Sequence, residues 1–306
     1  MLDSYVAALR IYCSSDLLMI GVNRKHYMRD FFQKVAIFIG VFSFLTPLSA
    51  QWSPYPTLGA PRTADGEVNL EGPAPRTADG KPDLSGIWTF MRRGESGEQG
   101  RPIGEPVEPL PGAPPFTNFW DTGFGFEGGL PFRPWARELR EQRMAENSKD
   151  NPDSYCLPLG HMQFHTQLQP RKMIQTPEVI VILYEASAGV RQIFTDGRPL
   201  PDNDPLPWWY GYSVGSWEGD TLVVVTTHLR DGGWIDFNGS PLTDEATITE
   251  RFRRLNYGNM EIDVTIDDPK AYTEPFTVRV EQRIMPDTNL IEWVCENEKS
   301  TRYFDP

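Results

Sequence analysis

From Arg171 onward the chain is written in a two-residue rhythm, with short runs of β-branched and aromatic residues bounded by turn chemistry. Met260, Ile262, Val264 and Ile266 share one phase, and Glu261, Asp263, Thr265 and Asp267 the other. Phe276, Val278, Val280 and Ile284 repeat the pattern, with Thr277, Arg279, Glu281 and Arg283 facing outward. Residues 179–183 and 222–225 are apolar throughout and read as strands covered on both faces. Turns are expected at Asp196-Gly197, Glu218-Gly219-Asp220, Tyr257-Gly258-Asn259 and Pro286-Asp287-Thr288-Asn289. Roughly ten such runs with no helix between neighbours predict a mainly β fold. The expected architecture is an antiparallel meander, closed as a barrel or stacked as a two-sheet sandwich. Heavily charged outer faces argue against a lipid-facing barrel.

Upstream of the strands, the composition changes twice. Residues 28–50 carry a charged start (Arg29, Lys34), a short apolar core and small residues at Ser49 and Ala50, which is the anatomy of a secretory signal. Met28 is then the expected start within a leader of residues 1–50, and the rival is an uncleaved N-terminal anchor. Residues 51–82 form an extended Pro-rich arm in which APRTADG occurs at 60–66 and again at 74–80. A single β domain is expected over residues 83–306, beginning with the strand that holds Gly86-Ile87-Trp88. It includes a helix over residues 134–147 that starts on Pro134. The Gly/Pro-rich stretch 94–134 is too aromatic for a bare linker and is expected to pack on the domain. Its acidic residues Glu95, Glu98, Glu105 and Glu108 read as solvated.

Export sets both the charge and the thiol chemistry. Of 29 basic and 42 acidic residues the leader holds five and three, leaving a net charge of −15. That charge repels phosphate backbones and anionic membranes, so no nucleic-acid partner is expected, and no membrane partner after signal cleavage. Cys13 leaves with the leader, and Cys156 and Cys295 are expected to pair in an oxidising compartment, tying the entrance of the β region to its last strand. Two buried thiols are the alternative.

A few polar residues interrupt the pattern. Glu250 shares its phase with Ile248 and Phe252, so its carboxylate points inward and needs a partner. Arg251 and Arg253 lie on the opposite phase, which assigns that partner to another strand. Gln282 sits likewise between Val280 and Ile284, and His228 shares a phase with Leu222 and Val224. His161 and His165 are four apart and would share a helical face, but the spacing supplies no third ligand, so no metal site is expected. Arg191, Arg198, Trp209 and Tyr212 read as ligand-binding residues near a barrel rim. Phosphate loops, nucleophile elbows and metal-binding cysteine clusters are absent from the sequence, and no cofactor is expected.

The motifs PRTADGKPDLSGIW at 75–88, CLP at 156–158, RQIFTDGRP at 191–199, WEGDTLVV at 217–224 and TERF at 249–252 resemble an uncharacterised family of exported bacterial proteins. The resemblance implies periplasmic or secreted location and adds no chemistry. Gly86-Ile87-Trp88 is also similar to the start of lipocalin-like (calycin-like) barrels.

Three functions remain open at this point. The first is a binding module for a small, partly apolar ligand. The second is a cofactor-independent hydrolase, lyase or isomerase with Glu250, His161 or His165 as base and Arg191 or Arg198 stabilising an anion. In that case Glu250→Gln would leave the melting temperature nearly unchanged. The third is a surface interaction protein that docks a partner through its arm. Oligomeric state is left open.

Overall fold

A computed structural model of the chain describes residues 55–91, 111–202 and 206–295. All belong to one unit, Pro54–Pro306. The expected signal segment, Cys13 and the acidic residues 95–108 lie outside the described residues.

Nine strands close into a barrel: β1 (Gly86–Phe90), β2 (Arg171–Gln175), β3 (Val179–Tyr184), β4 (Val190–Phe194), β5 (Tyr212–Glu218), β6 (Thr221–Thr227), β9 (Thr247–Arg254), β10 (Asn259–Asp267) and β11 (Phe276–Ile284). They follow one another around the wall in chain order, and β11 pairs with β1 to shut it. The barrel, rather than the two-sheet sandwich, is therefore the fold. The antiparallel meander needs one correction, because β4 and β5 run parallel, joined in register at Ile193 with Ser213 and Phe194 with Val214. An odd number of strands cannot alternate direction around a closed ring, so one parallel joint is unavoidable. Between β6 and β9 the chain leaves the wall for a small hairpin, β7 (Gly233–Trp234) with β8 (Pro241–Leu242).

The inward phase fills the interior with Ile180, Ile182, Ile193, Leu222, Val224, Ile248, Phe252, Ile262, Val264, Val278 and Val280, all essentially inaccessible. Trp88 closes one region of that core and donates its indole N–H to the Leu84 carbonyl at 3.0 Å. The all-apolar runs alternate after all, since β3 and β6 bury every second residue and leave the others partly covered.

Helix α1 (Pro134–Ala145) begins on its proline as expected and stops two residues short of the expected end. Asn147 and Ser148 adopt φ of 56° and 53°, which a right-handed helix cannot contain. The described part of the preceding stretch does pack on the domain. Phe126 meets Phe276 edge-on at 6.1 Å, and Phe132 lies 5.4 Å from Tyr272.

The tandem repeat is a pair of equivalent clamps. In each copy the arginine donates to the carbonyl of that copy's glycine, Arg62 to Gly66 at 2.9 Å and Arg76 to Gly80 at 2.8 Å. Each then grips an aspartate in a turn of the barrel with both Nη atoms or with one: Arg62 binds Asp287 through Nη2, and Arg76 binds Asp220 through Nη1 and Nη2. Asp220 sits in the turn between β5 and β6 and Asp287 three residues beyond the end of β11, both in expected turn sequences.

Candidate functional site

Glu250 lies midway along β9, flanked across the sheet by Val224 and Val264, and is fully buried. Its partner comes from β4, where Arg191 and Ile193 point inward and Val190 and Gln192 point out. Arg191 grips the carboxylate with its fork: Nη1 donates to Oε1 at 2.9 Å, and Nη2 donates to Oε2. The guanidinium is fixed from behind by Ser213 Oγ at 3.1 and 3.2 Å and Thr226 Oγ1 at 3.0 Å, which bond each other at 2.9 Å. Burial alone would raise the Glu250 pKa, but the Arg191 charge and the hydrogen bonds from His165 and Arg191 hold it well below the usual carboxylate range. Glu250 is therefore ionised at neutral pH, and both of its oxygens already accept hydrogen bonds, from Arg191 and His165.

The two histidines arrive on a plug. Residues 159–167 are all buried, a run that contains the one-turn helix α2 (Gln163–Thr166). Gly160 makes this possible, since a Cβ there would meet the Trp234 carbonyl oxygen at 1.4 Å and no side chain fits. His165 Nε2 lies 2.7 Å from Glu250 Oε1, and an ionised carboxylate makes that nitrogen the N–H donor. Its Nδ1 then carries a lone pair, and that atom has no partner among the described residues. His161 Nε2 stands 3.8 Å from Glu250 Oε2, too far for a hydrogen bond, and neither of its nitrogens is paired. Burial lowers both imidazole pKa values, with Arg191 adding to the effect at His161, which falls to about 3.

No family model, curated protein or solved structure matches the chain. Function has to be read from the geometry.

His161, His165 and Glu250 offer three ligand atoms within 4.8 Å of one another, the third donor that the histidine spacing lacked. The charge balance does not suit a cation, however. Both Glu250 oxygens already accept from Arg191, and a divalent ion would add to the charge of that guanidinium with a single carboxylate to offset it. These residues fit neutral imidazoles around an ion pair better than a metal centre.

Further polar side chains on the inward phase complete the cluster. Arg171 on β2, Tyr184 on β3 and Gln282 on β11 are buried, as are Gln163 and His161 on the plug. Arg171 Nη2 and Gln282 Nε2 both donate to the His165 carbonyl, at 3.3 and 2.8 Å. Arg171 Nε and Nη1, the Tyr184 hydroxyl, Gln163 Nε2 and Gln282 Oε1 have no partner among the described residues. Sequence reasoning flagged Gln282 but missed Arg171, Tyr184, Ser213 and Thr226. Their signal was phase alone, with Arg171 in step with Met173 and Tyr184 in step with Ile180 and Ile182.

Other expected site residues lie elsewhere. Tyr212 sits on the outer phase of β5, stacked on Phe194 at 5.2 Å. Arg198 is exposed, covers Phe194 at 3.9 Å and pairs with Asp196 at 2.6 Å. Trp209 is half-buried under Arg230 at 5.1 Å. These three do not join Arg191 in the barrel. His228 follows β6 in a left-handed conformation, with Nδ1 2.8 Å from Thr227 Oγ1. Cys156 and Cys295 form the expected disulfide, but Cys295 lies beyond the last strand, which ends at Ile284.

The sealed imidazoles predict an early loss of stability in acid. Unfolded chains protonate histidine near pH 6.5, whereas folded His161 resists to about 3. Between those values the unfolded state binds more protons, so stability falls as the pH drops below about 6.5, by up to about 1.4 kcal/mol per pH unit for each such histidine. Glu250, with its lowered pKa, adds a further loss only below about 4.5. Urea midpoints that decline from pH 7 to 5 would bear this out, and a flat profile over that window would contradict it.

Proposed function

We propose that the protein is an exported barrel that holds a small, partly apolar molecule in its interior. The observation that supports it is the set of buried donors and acceptors on Arg171, Tyr184, Gln163, His161 and Gln282 that no described residue satisfies. Unsatisfied groups of this kind are rare in folded proteins, because each costs about 1–3 kcal/mol. Here they share the barrel interior with aliphatic side chains and with the ring group of Phe164, Tyr184 and Tyr210, spaced 4.5 to 5.8 Å apart. Apolar walls with a few convergent polar groups are the ordinary make-up of a small-molecule site.

Location outside the cytoplasm is supported by the disulfide, by the leader-like residues 28–50 and by the resemblance to exported bacterial proteins. Among the described residues, no helix is long and apolar enough to cross a membrane.

Native mass spectrometry of protein purified without denaturant tests the reading. The expected result is one small molecule per chain, released on unfolding. A bare polypeptide mass that also takes up no member of a panel of small acids, alcohols and amides would overturn it.

One observation favours a catalytic version of the same site. His165 is oriented by Glu250 through Nε2 and keeps Nδ1 open, the arrangement of a general base. That version requires the molecule recovered after incubation to differ from the one supplied, in mass for hydrolysis or elimination and in its NMR spectrum for isomerisation.

A further inference from the structure

The cluster holds two buried guanidiniums, Arg171 and Arg191, and among the described residues its carboxylate, Glu250, pairs with Arg191 and not with Arg171. Glu250 is committed to Arg191 and His165. Arg171 is 2 % exposed and, among the described residues, makes one hydrogen bond, from Nη2 to the His165 carbonyl at 3.3 Å, leaving Nε and Nη1 without partners. It faces Trp88 on β1 and Tyr184 on β3 across the sheet, so neither strand neighbour brings a negative charge. Burial pushes its pKa down to about 10, still charged at neutral pH, and no carboxylate of the described residues opposes that push. A buried cation without a counter-charge is among the costliest arrangements in a protein interior. The neighbouring Tyr184 hydroxyl lies against Arg191 but makes no well-formed hydrogen bond among the described residues, so its proton is free to be donated beside Arg171.

We propose that the ligand is a monoanion with an apolar body, a small organic carboxylate, whose charge is met by Arg171 with the Tyr184 hydroxyl as a second donor. This rests on the reading of the barrel interior as a ligand site. One excess positive charge calls for one negative charge, and a dianion such as phosphate would overcompensate it. The aromatic group of Phe164, Tyr184 and Tyr210 and the inward Met173 and Ile182 suit the apolar part.

Calorimetric titration of the full protein at pH 7 with hexanoate against hexanamide, and benzoate against benzamide, tests the proposal. Each acid is expected to bind roughly tenfold or more tightly than its amide, the worth of a hydrogen bond to a charged group. Arg171→Met should erase that preference, bringing the acid-to-amide affinity ratio to about one. Equal affinity for acid and amide in the parent protein would overturn the anion assignment and leave the ligand site standing. If none of the four binds and the purified protein carries no adduct, the assignment and the site reading both fail. Should Arg171→Met fail to fold, the acid-to-amide ratio in the parent protein decides alone.

Discussion

Glu250→Gln is expected to destabilise the protein by about 3–5 kcal/mol, the usual cost of leaving one half of a buried ion pair behind. The amide has nearly the shape of the carboxylate, so the loss is electrostatic and not a cavity effect. Arg191 cannot shed its proton in response, because a guanidinium starts so high that burial without a carboxylate partner still leaves it charged at neutral pH, as it does Arg171. The substitution therefore strands a charge at a site 1 % exposed. The amide keeps one acceptor oxygen and sets an NH2 group in place of the other, against donors of Arg191 or of Arg191 and His165 together. Ser213 and Thr226 still bond the guanidinium, but hydroxyl dipoles do not neutralise it. In a domain of this size the melting temperature should fall by roughly 10 °C. A melting curve unchanged from the parent would return Glu250 to the role of dispensable base and sink the ion-pair account.

Loss of the Cys156–Cys295 bridge should be of similar size. The two residues are 139 apart in sequence, and closing so long a loop removes chain entropy worth up to about 5 kcal/mol from the unfolded state. Cys156 stands three residues before the buried plug, and Cys295 follows the last strand. The bridge thus anchors the entry to the plug as well as shortening the unfolded chain. Replacing both cysteines by alanine should lower the unfolding free energy by several kcal/mol and raise hydrogen exchange in residues 159–167 more than in β9 to β11. Equal stability of parent and double-alanine protein would show that the bridge contributes nothing.

Much of the barrel was legible because its outer half is conventional. In β10 the inner phase is apolar and the outer phase polar, and β11 repeats the pattern in sequence apart from Gln282, so period two identifies both strand and face. Glu250 was legible for the same reason, as one acid within an apolar phase. The strands that build the rest of the site are not conventional. In β5 the inward positions are Ser213 and Gly215, kept small because Ile193 lies 3.0 Å from where a Gly215 Cβ would stand. The bulkier Tyr212 therefore reads as the buried member when it faces out. In β4, Val190 is exposed and Arg191 buried, which inverts the usual reading of a strand. The parallel joint between β4 and β5 follows from the parity of the strand count, which no local pattern contains. The plug was also hidden. The four-residue spacing of His161 and His165 speaks to a shared helical face and not to burial, which depends on a long-range fit of Gly160 against Trp234.

The central claim is that the Arg191–Glu250 pair organises a ligand site and is not there for stability alone. Buried ion pairs exchanged as a unit for apolar residues of similar volume commonly leave stability unchanged or improved. Ligand retention by an Arg191→Met/Glu250→Leu double variant, read by native mass spectrometry beside its unfolding curve, tests the claim most directly. The account predicts a fold about as stable as the parent that no longer carries the small molecule. A double variant that retains the molecule as the parent does would contradict it.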